Sequence, residues 1–112
     1  MFVRFCAAVA CVVLGSAHAA QPAAYPVKPV RIIVPFAAAG GSDIMARSLA
    51  QALTASTGQQ FVVENRPGAN ALIGTEAVAK AAPDGYTLLA TSNPFTIAPY
   101  LAKAPAYDPT QD

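Results

Sequence analysis

Between Val30 and Leu53 an apolar, β-branched run, Val30-Arg31-Ile32-Ile33-Val34, passes through Pro35-Phe36-Ala37-Ala38-Ala39-Gly40-Gly41 into Ser42-Asp43 and a helical pattern. This is a strand, a loop of small residues and a capped helix. The first backbone N–H groups of such a helix have no helical acceptor and point at the loop, and with the helix dipole they form a pocket for an anionic group. The run is apolar at almost every position, as a strand buried on both faces requires, with Arg31 the one polar interruption.

The same alternation continues along the chain. Helix one is expected to begin with Ser42 or Asp43 as N-cap. It should bury a stripe of Met45, Leu49 and Leu53 with Ala46 and Ala52 beside them, and stop at Gly58. Residues 60–64 read as strand two, and Asn65-Arg66-Pro67-Gly68-Ala69-Asn70 as loop. Residues 71–82 are alanine-rich, with Ile73, Ala77, Val78 and Ala81 at helical spacing. Pro83-Asp84-Gly85 turns the chain into strand three, residues 86–91, and residues 95–101 form a third helix despite Pro99. Strands alternating with helices at this spacing pair in parallel through right-handed crossovers. The loops after the three strands then share the carboxyl edge of the sheet, where open α/β sheets bind ligands.

Residues 1–19 read as a secretory signal, with Arg4 in the n-region, residues 5–14 as the apolar core and Ala17-His18-Ala19 as the site of cleavage after Ala19. The apolar run is short of the about 20 residues that span a bilayer. A lipoprotein reading through Cys11 is weaker, because Ala8-Val9-Ala10 lacks a large apolar residue before it. Cleavage removes Cys6, Cys11 and His18, all the cysteine and histidine the chain has. The remainder has no disulfide, no thiolate nucleophile, no histidine base and no Cys/His metal site. Lys28, Arg31, Arg47, Arg66, Lys80 and Lys103 balance Asp43, Glu64, Glu76, Asp84, Asp108 and Asp112, which gives no electrostatic footprint for nucleic acid or an anionic membrane. Residues 20–29 are a Pro- and Ala-rich leader expected to run extended to the first strand. Residues 30–112 are few for a sheet covered by helices on both faces, and Tyr107-Asp108-Pro109 is a turn signal where another element would begin. A piece of something larger is expected.

Several chemistries compete for the polar residues. Gly40-Gly41-Ser42-Asp43 can be merely a tight turn and a cap, but the small-residue stretch 37–41 also lets a ligand approach main-chain amides unobstructed. Glu64 stands where a dinucleotide fold places its ribose-binding acid, yet the glycines do not follow G-x-G-x-x-G and no G-K-[ST] is present. No nucleotide or other cofactor is therefore expected. Ser42 and Ser92 lack both a histidine base and a G-x-S-x-G elbow, so no catalytic residue is assigned. Asp43 reads as a first-turn acid favoured by the helix dipole, with orientation of a water or a ligand amine as its alternative. Ser92-Asn93 is a turn or cap that becomes a ligand donor if the first loop is a site. Arg66 is expected to pair with Glu64 or Asp84, or to stand as a lone cation near the anion site.

Val30-Arg31-Ile32-Ile33-Val34-Pro35-Phe36, Gly40-Gly41-Ser42-Asp43-Ile44, Val62-Val63-Glu64-Asn65-Arg66-Pro67-Gly68-Ala69, the stretch from Ala77-Val78 to Pro83-Asp84-Gly85-Tyr86-Thr87-Leu88-Leu89, and Tyr107-Asp108-Pro109 resemble the substrate-binding receptors of tripartite tricarboxylate transporters, the Bug family of periplasmic binding proteins. The resemblance covers nearly all of the chain after residue 19. It implies an α/β fold of the periplasmic-binding-protein type (type II), a parallel-sheet domain of which residues 30–112 are the first part of domain one. It also implies a periplasmic, monomeric protein without enzymatic activity that traps a small organic carboxylate and delivers it to integral-membrane permease subunits. The implied ligand-binding residues are Phe36, Ala37, Gly40, Gly41, Ser42 and Asp43 in the first loop, and Ser92 and Asn93 after strand three, with no metal. Ala37-Ala38-Ala39 and Asn70-Ala71-Leu72 depart from the Pro/Gly-rich and Gly-rich runs usual in the family. At this length the chain is expected to lack the opposing wall of the cleft, and so to bind weakly or not at all alone. A truncated remnant, or a small secreted domain without ligand binding, is the alternative.

Overall fold

A computed structural model describes residues 24–111. The expected signal, its cleavage after Ala19, both cysteines and His18 lie outside the described residues. Three strands, β1 (Val30–Val34), β2 (Phe61–Asn65) and β3 (Thr87–Leu89), alternate with three helices, α1 (Gly41–Thr57), α2 (Leu72–Ala79) and α3 (Pro94–Leu101). The sheet order is β2-β1-β3, all parallel, with Val30 opposite Phe61 and Arg31 opposite Thr87. β1 is thus central, which is why its apolar run is the most buried stretch: Val30, Ile32, Ile33 and Val34 are each at most 2% exposed. Arg31 escapes by pairing with Glu64.

On one face of the sheet, Ile32 and Val34 pack with Ala46 and Ala50 of α1, and Phe36, Phe61, Val63, Leu88 and Ala90 close around them. α1 corrects two expectations. Its N-cap is Gly40, not Ser42 or Asp43, with no side-chain cap bond. Its buried residues are Asp43, Ala46 and Ala50, whereas Met45 is 73% and Leu49 52% exposed and Ala52 is exposed. Leu53 alone of the expected large apolar residues is half-buried. The stripe is turned by one residue, about 100°. Small alanines let the helix lie close on the strands, and the bonds of Asp43 and Arg47 described below fix its rotation. Gly58 ends the helix as expected, at φ 75°, its N–H donated to the Thr54 carbonyl.

α2 is shorter than residues 71–82 and stops at Ala79, consistent with the disfavour for helical backbone just before Pro83. It turns Gly74 and Thr75 inward and leaves Ile73 53% exposed. A Cβ at Gly74 would stand 2.8 Å from both the Arg66 carbonyl and Pro35 Cβ, so only glycine allows this approach to the end of β1. β3 is shorter than residues 86–91, although its ladder bonds extend from Arg31 N–H to the Tyr86 carbonyl and from Ala90 N–H to the Ile33 carbonyl, 2.9 Å each. α3 contains Pro99 as expected. The end of the leader is not free: Tyr25 Oη donates to the Gly85 carbonyl at 2.5 Å, and Lys28 lies over the Tyr86 ring, 4.4 Å from its centroid.

Candidate functional site

Because β1 and β3 are parallel neighbours, the loops that follow them leave the sheet side by side at its carboxyl edge. All eight expected site residues fall on these two connections: Phe36, Ala37, Gly40, Gly41, Ser42 and Asp43 between β1 and the first turn of α1, and Ser92 and Asn93 between β3 and α3. The first helical bond of α1 runs from Ile44 N–H to the Gly40 carbonyl, 3.0 Å, which leaves the N–H groups of Gly41, Ser42 and Asp43 without a helical acceptor. Gly40 and Gly41 are exposed and Ser42 half-exposed. In the other loop the Ser92 and Asn93 carbonyls accept from Phe95 and Thr96 N–H, and both residues are exposed. Thr91, just before them, buries its hydroxyl with no hydrogen-bond partner, a donor and acceptor at the same edge that the sequence does not single out.

Phe36 and Asp43 are tied into the protein's own contacts. The Phe36 ring packs against the core, and its carbonyl accepts from Asn65 Nδ2 at 3.1 Å. Asp43 is 3% exposed. Its carboxylate accepts from Arg47 Nε at 3.0 Å, from Ala39 N–H at 2.8 Å and from Asn65 Nδ2 at 2.9 Å. The Arg47 hydrogen bonds, then those from Ala39 and Asn65, hold its pKa down at about 2, against an ordinary 3.8. Asp43 is therefore a charged anchor whose lone pairs are engaged within the protein, and no other acid in the loop is available for proton transfer. Arg47 Nη2 closes the network on Asn65 Oδ1 at 3.0 Å. Asn65 and Arg47 were not among the expected site residues. The visible signals were the i, i+4 spacing of Asp43 and Arg47 and an Asn closing strand two.

Cations do not carry the site. Arg66 pairs with Glu64 at 2.6 Å and Arg31 joins the same carboxylate at 2.7 Å, which depresses the Glu64 pKa, Arg66 contributing most. Lys28 pairs with Asp84 at 3.8 Å, and Lys80 with Glu76. The donors left at this edge are thus neutral backbone N–H groups and hydroxyls. Among the described residues no three His, Cys, Asp or Glu side chains converge where a metal ion could sit. A cavity of about 500 Å³ opens elsewhere, lined by Thr75, Val78, Leu89, Phe95 and Tyr107 among others, and another of about 510 Å³ lies between α1 and β2; neither includes any of the eight residues.

Residues 45–112 match the tripartite tricarboxylate transporter family receptor family, TctC. Protein BugT of Bordetella pertussis is 50% identical over 82 residues, which are 73% of this chain and 25% of that protein. The periplasmic binding protein BugD is similar in structure with a TM-score of 0.68 at 47% identity, over 76% of this chain and 28% of BugD. MatC of Rhodopseudomonas palustris, solved with bound malate, has a TM-score of 0.67 at 35% identity, over 76% of this chain and 29% of MatC. The chain spans between a quarter and a third of the length of each of these proteins.

Proposed function

The chain belongs to the tripartite tricarboxylate transporter receptor family, and from that premise we propose that it serves as the N-terminal part of a periplasmic solute-binding receptor for a small organic carboxylate. The observation that carries this reading is that the loops after the neighbouring strands β1 and β3 share the carboxyl edge, with the Gly41 and Ser42 N–H groups at the head of α1 free of helical acceptors and Ser92 and Asn93 exposed before α3. Neutral, fixed donors suit a carboxylate, whose bonds to such donors are charge-assisted and about 1.5–3 kcal/mol each. Small residues at 37–41 allow the ligand to reach the backbone. The malate bound by MatC supports a dicarboxylate as the first ligand to try. Export by residues 1–19, hand-over to membrane permease subunits, a monomeric state and the absence of enzymatic activity belong to the same proposal. In this account the protein binds and releases its ligand unchanged.

One substitution removes a single donor and little else. Gly41 is the first helical residue, a position that accepts proline. Gly40 before it already holds φ −77° and ψ 169°, as a residue preceding proline prefers, and a Cβ at Gly41 meets nothing within 4 Å. Gly41→Pro is expected to keep the fold and the thermal midpoint while lowering malate affinity about tenfold or more, as loss of one charge-assisted bond requires. Unchanged affinity in a folded Gly41→Pro variant would remove the α1 head from the site.

A further inference from the structure

The β1–α1 loop has almost no side chains with which to hold its own shape. Between Phe36 and Gly41 it is alanine and glycine, and Ala39 sits at φ 65°, a left-handed conformation that alanine does not favour by itself. What fixes it comes from outside. Asn65 Nδ2 donates to the Phe36 carbonyl at the loop entrance, 3.1 Å, and to Asp43 Oδ1 beyond its exit, 2.9 Å. Asp43 in turn accepts from Ala39 N–H at 2.8 Å, and Arg47 Nη2 holds the Asn65 carbonyl oxygen at 3.0 Å. Asn65 is itself fixed, as the last residue of β2, opposite Val34, with the following Arg66 N–H on the Val34 carbonyl at 2.8 Å.

Resting on the carboxylate reading above, we propose that Asn65 is the positioning residue of the ligand loop. It sets the outward donors of Gly41 and Ser42 from the neighbouring strand, with Asp43 and Arg47 as its relay. A carboxamide is required because one group must donate to a backbone carbonyl and to a carboxylate while accepting from a guanidinium. Aspartate in its place offers only acceptors. The loop geometry therefore depends on the registry of β2 with β1, and the anion site does not form from the strand–loop–helix unit alone.

The test uses the full chain and its Asn65→Asp and Asp43→Asn/Asn65→Asp variants, with amide hydrogen exchange read without ligand and malate titration read separately. In N65D the Ala39 amide is expected to exchange about tenfold faster or more, with β1 amides within about twofold of wild type and malate affinity about tenfold lower. The double variant returns a carboxylate to Arg47 but leaves the Phe36 carbonyl without its donor. Its thermal midpoint is expected to return toward wild type while malate affinity stays low. Wild-type exchange at Ala39 in N65D, β1 exchange accelerating in step with Ala39, or wild-type malate affinity in the double variant would each overturn the proposal. A wild-type chain that shows no response to millimolar malate but shows the Ala39 difference would discard malate binding by this chain alone and leave the positioning role of Asn65 standing.

Discussion

Asp43 has its carboxylate engaged by a guanidinium, a backbone N–H and a carboxamide, and each of these bonds favours the ionised form. A carboxyl whose pKa falls from 3.8 to about 2 on folding stabilises the folded state above the unfolded value and loses that contribution as pH falls through the folded one. The depressed Glu64 acts in the same direction. The thermal midpoint is therefore expected to be level above about pH 5 and to drop steeply between about pH 4 and pH 2. Asp43→Asn should lower the midpoint at neutral pH and flatten that drop, as thermal melts across the range would show. Equal acid sensitivity in the two proteins would mean that the Asp43 network is not formed in solution. Only part of this was legible beforehand. An acid in the first helical turn is readable from its position, but its burial depends on a partner, Asn65, that is brought to it by strand pairing.

The elements and their order followed from the alternation of β-branched runs, small-residue loops and helical spacing, and the parallel pairing followed from the connections. Helix rotation did not. Hydrophobicity favours burying Met45 and Leu49, yet α1 presents Ala46 and Ala50 to the sheet, because close approach and the polar anchors at Asp43 and Arg47 determine the face. α2 behaves alike, with Gly74 against Pro35 rather than Ile73 inward. Met45→Ser is accordingly expected to change stability by no more than about 0.5 kcal/mol, as an exposed position does. Ala46→Leu should cost about 1–3 kcal/mol or more by overpacking against Ile32 and Val34. Urea melts of the two variants distinguish the faces, and the reverse ranking would restore the Met45 stripe. The composition of α1 shows that it is amphipathic, but the angle between two adjacent candidate stripes is decided by packing.

At the scale of the whole molecule, the parallel α/β architecture and the placement of both loops on one edge were within reach of the sequence through the spacing of its elements, and the family through the resemblance of its motifs. The brace from β2 and the buried Thr91 hydroxyl were not, because both arise from contacts between segments distant in sequence. The proposed carboxylate site is made of neutral donors at the heads of α1 and α3, while Arg31, Arg47, Arg66, Lys28 and Lys80 are each paired with an acid. The most direct measurement is a malate titration of the uniformly ¹⁵N-labelled chain followed by amide shifts. Weak but saturable shifts at millimolar malate are expected, gathered on Gly41, Ser42, Ser92 and Asn93. Shifts gathered instead on Thr75, Val78 and Leu89 around the α2–β3 cavity, or no movement at the four loop amides, would contradict it.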